Sequence, residues 1–334
     1  MNSFSSVLGH EGAKQHLMTA LSDSLVSHAY LIEGPRGVGK KTLSGAFIRA
    51  LLCEDPVRTP EGTYDSCGKC RCCSLLDNGN YPDVKYIRRM KDKTEIKVDQ
   101  IRDELVSDMQ IKPYLDKYKI YVIEGADDLN INAQNAMLKT IEEPPAYGIV
   151  LLLAESENSF LPTILSRCVK ISLSPLPIHL VCSALIGKGF PEPEAQAAAA
   201  LVQGSLGDAL KLSRDENFSL LRTELFDFLA SLPTASPAEV MRGARLFESY
   251  KSSRDTLFSL LTIWFRDVSV YRETEDPSLL LIRDRMSAMK AYAETYSSEK
   301  ILRICETIPD IYTKLQHNVN AALAIDCLLM EMMK

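Results

Sequence analysis

The chain has 334 residues, of which 46% are hydrophobic and 25% charged, and its formal net charge is -6. That length leaves room for two or three domains, and the composition is that of an ordinary globular chain. The acid excess argues against a partner held mainly by whole-molecule attraction to nucleic acid, and the lack of any run of about 18 apolar residues argues against a membrane span. The opening MNSFSSVLGHEG shows no basic stretch followed by an apolar one, so no secretory signal is read there and a cytoplasmic location is expected.

In chain order, residues 28–34 (HAYLIEG) read as a buried strand running into a glycine loop, and residues 40–53 (KKTLSGAFIRALLC) as the helix after it. Residues 119–129 (KIYVIEGADDL) contain a second buried strand and residues 149–156 (IVLLLAES) a third. Between them, residues 131–145 (INAQNAMLKTIEEPP) show helical spacing at Ala133, Ala136, Met137 and Ile141, and Pro144-Pro145 ends the helix. Short apolar runs alternating with helical patterns predict an α/β domain, a parallel sheet with helices on both faces. The prolines in residues 173–177 (LSPLP) mark a boundary, and beyond it strand signals largely disappear. The alanine-rich run 195–200 is good helix former. Ser236, Pro237 and Glu239 spell a capping box with proline at the first helical position, so a helix is expected to start there. Leu257, Leu261, Trp264, Val268 and Tyr271 share one helical face, the stripe of a bundle core.

The loop at residues 34–42 (GPRGVGKKT) has the strand, glycines, lysine and helix of a phosphate-binding loop. Gly34, Gly37 and Gly39 let backbone N–H groups converge on phosphates, the helix start adds positive potential, and Lys40 can reach the outer oxygens. The next position departs from the pattern. A hydroxyl there normally holds Mg²⁺, but Lys41 has donors only. Thr42 comes one residue late, about 100° further round the helix. Weak binding of ATP or ADP is compatible with this loop, whereas hydrolysis is not expected. The strand at residues 119–124 points the same way: Glu124 is placed to reach a metal, but Gly125 follows where a second acid would polarise water. Asp127 and Asp128 are expected to begin the next loop or cap the next helix.

Nine cysteines are present. Cys168, Cys182, Cys305 and Cys327 stand alone among apolar residues, where buried thiols are expected. Cys67, Cys70 and Cys73 repeat at knuckle spacing with Cys53 upstream, the pattern of a closed and therefore structural four-thiolate zinc site. Cys72 occupies a spacer position and could compete with Cys73, although Cys73 keeps the regular spacing, so the sequence leaves open whether it does.

With these motifs assembled, the chain resembles the AAA+ clamp-loader subunits of bacterial DNA polymerase III, a family related to gamma/tau. The resemblance rests on HAYLIEGPRGVGK, the cysteine knuckle, IKVDQIR (residues 96–102), NAQNAMLKTIEEPP, LPTILSRC (residues 161–168) and NVNAALAIDCLLMEM near the C-terminus. It implies an AAA+ domain over residues 1–173 with the zinc-knuckle insertion at about 53–73, a small helical lid over 174–214 and an all-α collar over 215–334. It also implies that Arg167, in the SRC motif, projects in trans into the ATP site of a neighbouring gamma/tau subunit. Implied partners are gamma/tau and delta subunits, the sliding clamp and primed DNA. Hydrolysing members carry a lid arginine where this chain has Gly207. Together with Lys41 and Gly125, that loss implies a subunit whose own ATPase site is inactive. Two competing readings are a gamma/tau-type ATP-hydrolysing motor and a stand-alone zinc-containing P-loop nucleotidase. A third is a DNA-binding module on the basic run Lys85, Arg88, Arg89, Lys91, Lys93 and Lys97. Asp92 and Glu95 interrupt that run and favour a solvated loop instead.

Overall fold

The computed structural model describes residues 3–58, 64–91, 93–115, 118–317 and 319–333. Asp92, Asn318 and part of the knuckle insertion therefore lie outside the described residues. The chain divides into two compact units, one ending at Leu176 and the other starting at Pro177.

The first unit opens with α1 (Glu11–Ser22), β1 (Ala29–Glu33) and α2 (Lys40–Leu51). A small antiparallel hairpin, β2 (Val57–Arg58) with β3 (Tyr64–Asp65), and α3 (Arg71–Asp77) precede β4 (Val84–Arg88). Next come α4 (Val98–Ile101) with a π turn over Arg102–Ser107, then β5 (Lys119–Glu124) and α5 (Ile131–Glu142). The unit ends with β6 (Gly148–Ala154), α6 (Pro162–Leu165) and β7 (Val169–Ser172). Five strands make one parallel sheet in the order β4-β5-β6-β1-β7. Every residue of β5 and β6 is buried, because central parallel strands are covered on both faces. Leu17, Ile32, Leu43, Phe47, Val122 and Leu151 pack on one face, and Leu31, Ile101, Ile123, Met137, Leu152 and Ile164 on the other.

The two edge strands escape the sequence reading. β4 and β7 each bury only one residue, so neither carries a continuous apolar run. Lys85 and Arg88 accordingly belong to a strand and not to a solvated loop. Lys85 pairs with Asp108 at 2.7 Å, and the buried Lys119 pairs with the same carboxylate at 2.9 Å. The Tyr121 hydroxyl donates to it at 2.6 Å. Burial works against the Asp108 carboxylate, but these three donors outweigh it and bring its pKa down to about 2 from the ordinary 3.8. A depressed carboxyl pKa contributes stability that is present above its unfolded value and is lost as pH falls through the folded value. Asp108→Asn, which strips Lys119 of its anion, should cost about 3 kcal/mol in urea unfolding at neutral pH. The deficit relative to wild type should shrink between about pH 4 and pH 2.

The second unit is helical: α7 (Ile178–Ile186), α8 (Glu192–Leu201), α9 (Leu206–Ser213), α10 (Glu216–Ser231), α11 (Pro237–Arg242) and α12 (Ala244–Ser249) lead to the long α13 (Arg254–Thr274). It closes with α14 (Met286–Thr295), α15 (Ser298–Gln316) and α16 (Ala321–Met332). The capping box forms as read: α11 starts at Pro237, and the Ser236 amide donates to Glu239 Oε2 at 2.8 Å. The predicted stripe is the bundle core, with Leu257, Leu261, Trp264 and Val268 buried and Tyr271 half-buried. The Trp264 ring lies 5.1 Å from that of Phe226, and α14, α15 and α8 pack against α13. The lone cysteines depart from expectation. Cys168, Cys182 and Cys305 are only partly buried and Cys327 is exposed, because α16 turns that residue away from Leu328 and Leu329 in the core.

Candidate functional site

The glycine loop has the backbone its sequence requires. β1 ends at Glu33, and α2 begins at Lys40 with Gly39 as its N-cap. Gly34, Gly37 and Gly39 take φ values of 150°, 72° and 116°. At Gly34 any Cβ would collide with the Leu173 carbonyl oxygen, so only glycine lets the strand turn there. The Lys40 ammonium turns back into the loop and donates to the carbonyls of Gly34 and Pro35. Burial lowers its pKa, against the opposing pull of the Glu155 and Asp127 carboxylates. The His10 imidazole braces the loop from outside, its Nε2 3.0 Å from the Val38 carbonyl. Sequence reasoning missed His10, whose left-handed φ of 57° follows from no local motif. Thr42 is half-buried in the first turn of α2.

Glu124 closes the end of β5, 8% exposed. Lys41 Nζ lies 2.5 Å from its Oε2. Arg88 grips the same carboxylate with both ends of its fork, Nε to Oε2 at 2.7 Å and Nη2 to Oε1 at 2.9 Å. The parallel register makes Arg88 and Glu124 strand neighbours, which puts both side chains on one face. The expectation that Glu124 can reach a metal is thereby corrected. Mg²⁺ seeks oxygen ligands at about 2.0–2.1 Å, normally the loop hydroxyl and this acid. Here an ammonium replaces the hydroxyl and two cations hold the carboxylate, so these residues do not fit the ion.

The turn after β5 is rebuilt as well. Gly125 has a φ of 67° and caps a 3-10 turn over Ala126–Asp128. A side chain there would be strained in the left-handed region, so restoring an acid at that position would distort the turn. Asp127 accepts from the amides of Glu155 and Ser156 at 2.6 and 3.1 Å, tying this turn to the end of β6. Asp128 faces Arg89 at 3.4 Å. Both acids thus form the loop, as read, but α5 is capped by Asn130, whose side chain accepts from the Ala133 amide at 2.9 Å. Gly207 lies in the first turn of α9 in the second unit.

Arg167 follows α6 and is partly exposed. Its Nη1 donates to the Thr163 carbonyl at 2.9 Å and to Ser166 Oγ at 3.2 Å, and its Nη2 pairs with Glu142 at the end of α5 at 2.9 Å. The surface salt bridge that any lone arginine can make is therefore present. Glu142, the partner, stands in the EEPP segment read only as a helix end.

The cysteines converge. The Sγ atoms of Cys53, Cys67, Cys70 and Cys73 all lie within 4.8 Å of one another. Cys53 Sγ is 3.9 Å from both Cys70 Sγ and Cys73 Sγ. A tetrahedron with zinc–sulfur bonds of about 2.3 Å has edges of about 3.8 Å, so the donors present fit a metal of that kind. Amides of Lys69 and Cys70 pull the Cys67 thiol down to about 7, while burial pushes Cys53 up to about 12. Cys72 does not compete: its Sγ turns towards Glu54 at 3.5 Å and the Tyr81 hydroxyl at 3.9 Å. The buried Arg49 of α2 reaches Asp77 of α3 and anchors the knuckle to the loop helix.

A parallel sheet in this order, a glycine loop after β1, acid-bearing β5 and an arginine turn before β7 define a P-loop module of the AAA+ type, followed by a helical region. The family profile described as DNA polymerase III, delta subunit matches residues 9–177, and the chain belongs to that family. The delta-prime subunit of DNA polymerase III from Pseudomonas aeruginosa is 29% identical over 310 residues, 91% of each chain. That of Bacillus subtilis is 26% identical over 309 residues, 91% of this chain and 90% of that one. The tau/gamma subunit of Haemophilus influenzae is 35% identical over 219 residues, 63% of this chain and 30% of that one. Among the described residues no helix is long and apolar enough to cross a membrane.

Proposed function

We propose that the chain is a non-hydrolysing clamp-loader subunit of DNA polymerase III, which completes a neighbour's ATP site through Arg167. The observation that carries this reading is the occupied acid: Glu124 is held by Lys41 and Arg88, where a hydrolysing loop would hold magnesium. Gly125 and Gly207 support it. Arg167 pairs with a half-exposed partner, and an ion pair of that kind is worth less than about 1 kcal/mol. Such a guanidinium can leave Glu142 for the charge that builds on a γ-phosphate. The neighbouring site belongs to a gamma/tau subunit, and delta, the sliding clamp and primed DNA complete the assembly.

In this proposal residues 174–214 act as lid and residues 215–334 as collar. An outward apolar stripe on α16 supports the collar role, with Leu323 63% and Met330 50% exposed beside Cys327. The four thiolates hold structural zinc. A dedicated DNA groove on the basic run is disfavoured, since Lys85, Arg88 and Arg89 each face an acid of their own chain. The gamma/tau-type motor and the stand-alone nucleotidase both need a working metal position, which Lys41 opposes. Reconstitution with the neighbouring subunits, comparing wild type with Arg167→Ala, tests the proposal.

A further inference from the structure

We infer that the glycine loop takes a nucleoside diphosphate or triphosphate without a divalent cation, the chain's own Lys41 and Arg88 standing where the ion would be. The inference rests on the non-hydrolysing reading of the same loop and deepens it. Two side-chain cations around one carboxylate leave one net positive charge at the end of β5. A dication beside one carboxylate leaves the same. The electrostatic field that phosphate oxygens meet is thus kept while the ion itself is displaced.

The rest of the loop is still shaped for an anion. Its three glycines keep positive φ values, the Gly34 amide being spent on the Ala154 carbonyl at 3.2 Å, and α2, 12 residues long, begins directly behind them with its N-terminus facing the loop. Among the described residues Lys40 donates to the neutral carbonyls of Gly34 and Pro35, while the Glu155 and Asp127 carboxylates act on it through space without a bond. A β-phosphate entering the loop would replace those carbonyls with charge-assisted bonds. Lys41 is different, because it contacts the Glu124 carboxylate and shares it with Arg88. An arriving Mg²⁺ would meet that ammonium and the Arg88 guanidinium, and would have to displace Arg88 from Oε1, or both cations from Oε2, to gain one carboxylate oxygen. Magnesium should therefore add nothing to nucleotide binding, or weaken it.

The test is calorimetric titration of the full chain with ADP, in EDTA and in excess Mg²⁺, for wild type, Lys40→Ala and Lys41→Thr. Lys41 is a surface side chain, 68% exposed, so the third variant should fold, which circular dichroism checks. Wild type is expected to bind ADP equally well or better in EDTA, and Lys40→Ala to lose at least about tenfold in affinity. Lys41→Thr restores a hydroxyl and releases Glu124 from one cation, so its affinity should become dependent on magnesium. Wild-type affinity that rises about tenfold or more with Mg²⁺ overturns the inference. So does the absence of any ADP binding in either buffer, a result that leaves the Arg167 proposal standing because that residue lies outside the loop.

Discussion

Replacing Arg167 with alanine is expected to cut the DNA-stimulated ATPase of a reconstituted loader, with the loss concentrated in the one neighbouring site that this guanidinium completes. At that site the fall should be on the order of 10³-fold or more, the effect of removing a trans-acting arginine in related phosphoryl-transfer systems. Lysine should not rescue it. An ammonium brings the charge but not the planar fork of donors, and it cannot span phosphate oxygens in the same way. The substitution should leave folding and assembly intact, because the intrachain ties of Arg167 run to Thr163, Ser166 and a half-exposed Glu142. Steady-state hydrolysis with primed DNA, together with gel filtration of the assembled loader, separates the two effects. Unchanged hydrolysis by an intact Arg167→Ala loader would remove the arginine from the mechanism.

Removing the zinc proposed for the four thiolates should have the largest effect on stability. Four-thiolate zinc sites are worth on the order of 10 kcal/mol in small zinc peptides. In a larger domain with its own core the cost should be smaller but still several kcal/mol. Cys67→Ser is expected to lose one equivalent of zinc, measured by metal release, and to lower the melting temperature markedly. Cys72→Ser provides the sharper comparison. Its thiol points towards Glu54 and Tyr81, away from the cluster, so that variant should keep its zinc. Loss of zinc from Cys72→Ser with retention in Cys73→Ser would exchange the two roles. Because Arg49 ties α3 to α2, loosening of the knuckle should also reach the glycine loop, seen as faster amide exchange in α2.

Much of this architecture is legible in the residues, and the gaps have physical causes. The buried strands β1, β5 and β6 announce themselves by continuous apolar runs, since parallel strands at the centre of a sheet are covered on both sides. The edges β4 and β7 do not, because Lys85, Arg88, Lys170 and Ser172 interrupt their apolar residues. That omission hid the central contact of the site. Arg88 reads as one member of a basic run until the sheet register sets it beside Glu124, 36 residues away in sequence. Lys41, by contrast, was conspicuous at once, being a cation where a metal-binding hydroxyl belongs. Its partner was not, since pairing with Glu124 depends on how α2 sits against the sheet. The cysteine spacing picked out the four thiols that converge, Cys53, Cys67, Cys70 and Cys73, but left Cys72 ambiguous. Only the helical turn of α3 decides that case, by sending Cys72 and Cys73 in different directions. Glu142 and His10 were invisible for the same reason: each touches its partner through tertiary packing alone.

The pairing of Lys41 and Arg88 with Glu124 makes hydrolysis the most direct thing to measure. The purified chain alone, given ATP, Mg²⁺ and primed DNA, should release phosphate no faster than the buffer blank, at concentrations where ADP binding is saturated. Turnover on the order of 1 s⁻¹, within the ordinary range of enzymes, would contradict the proposal that this loop no longer works as a motor.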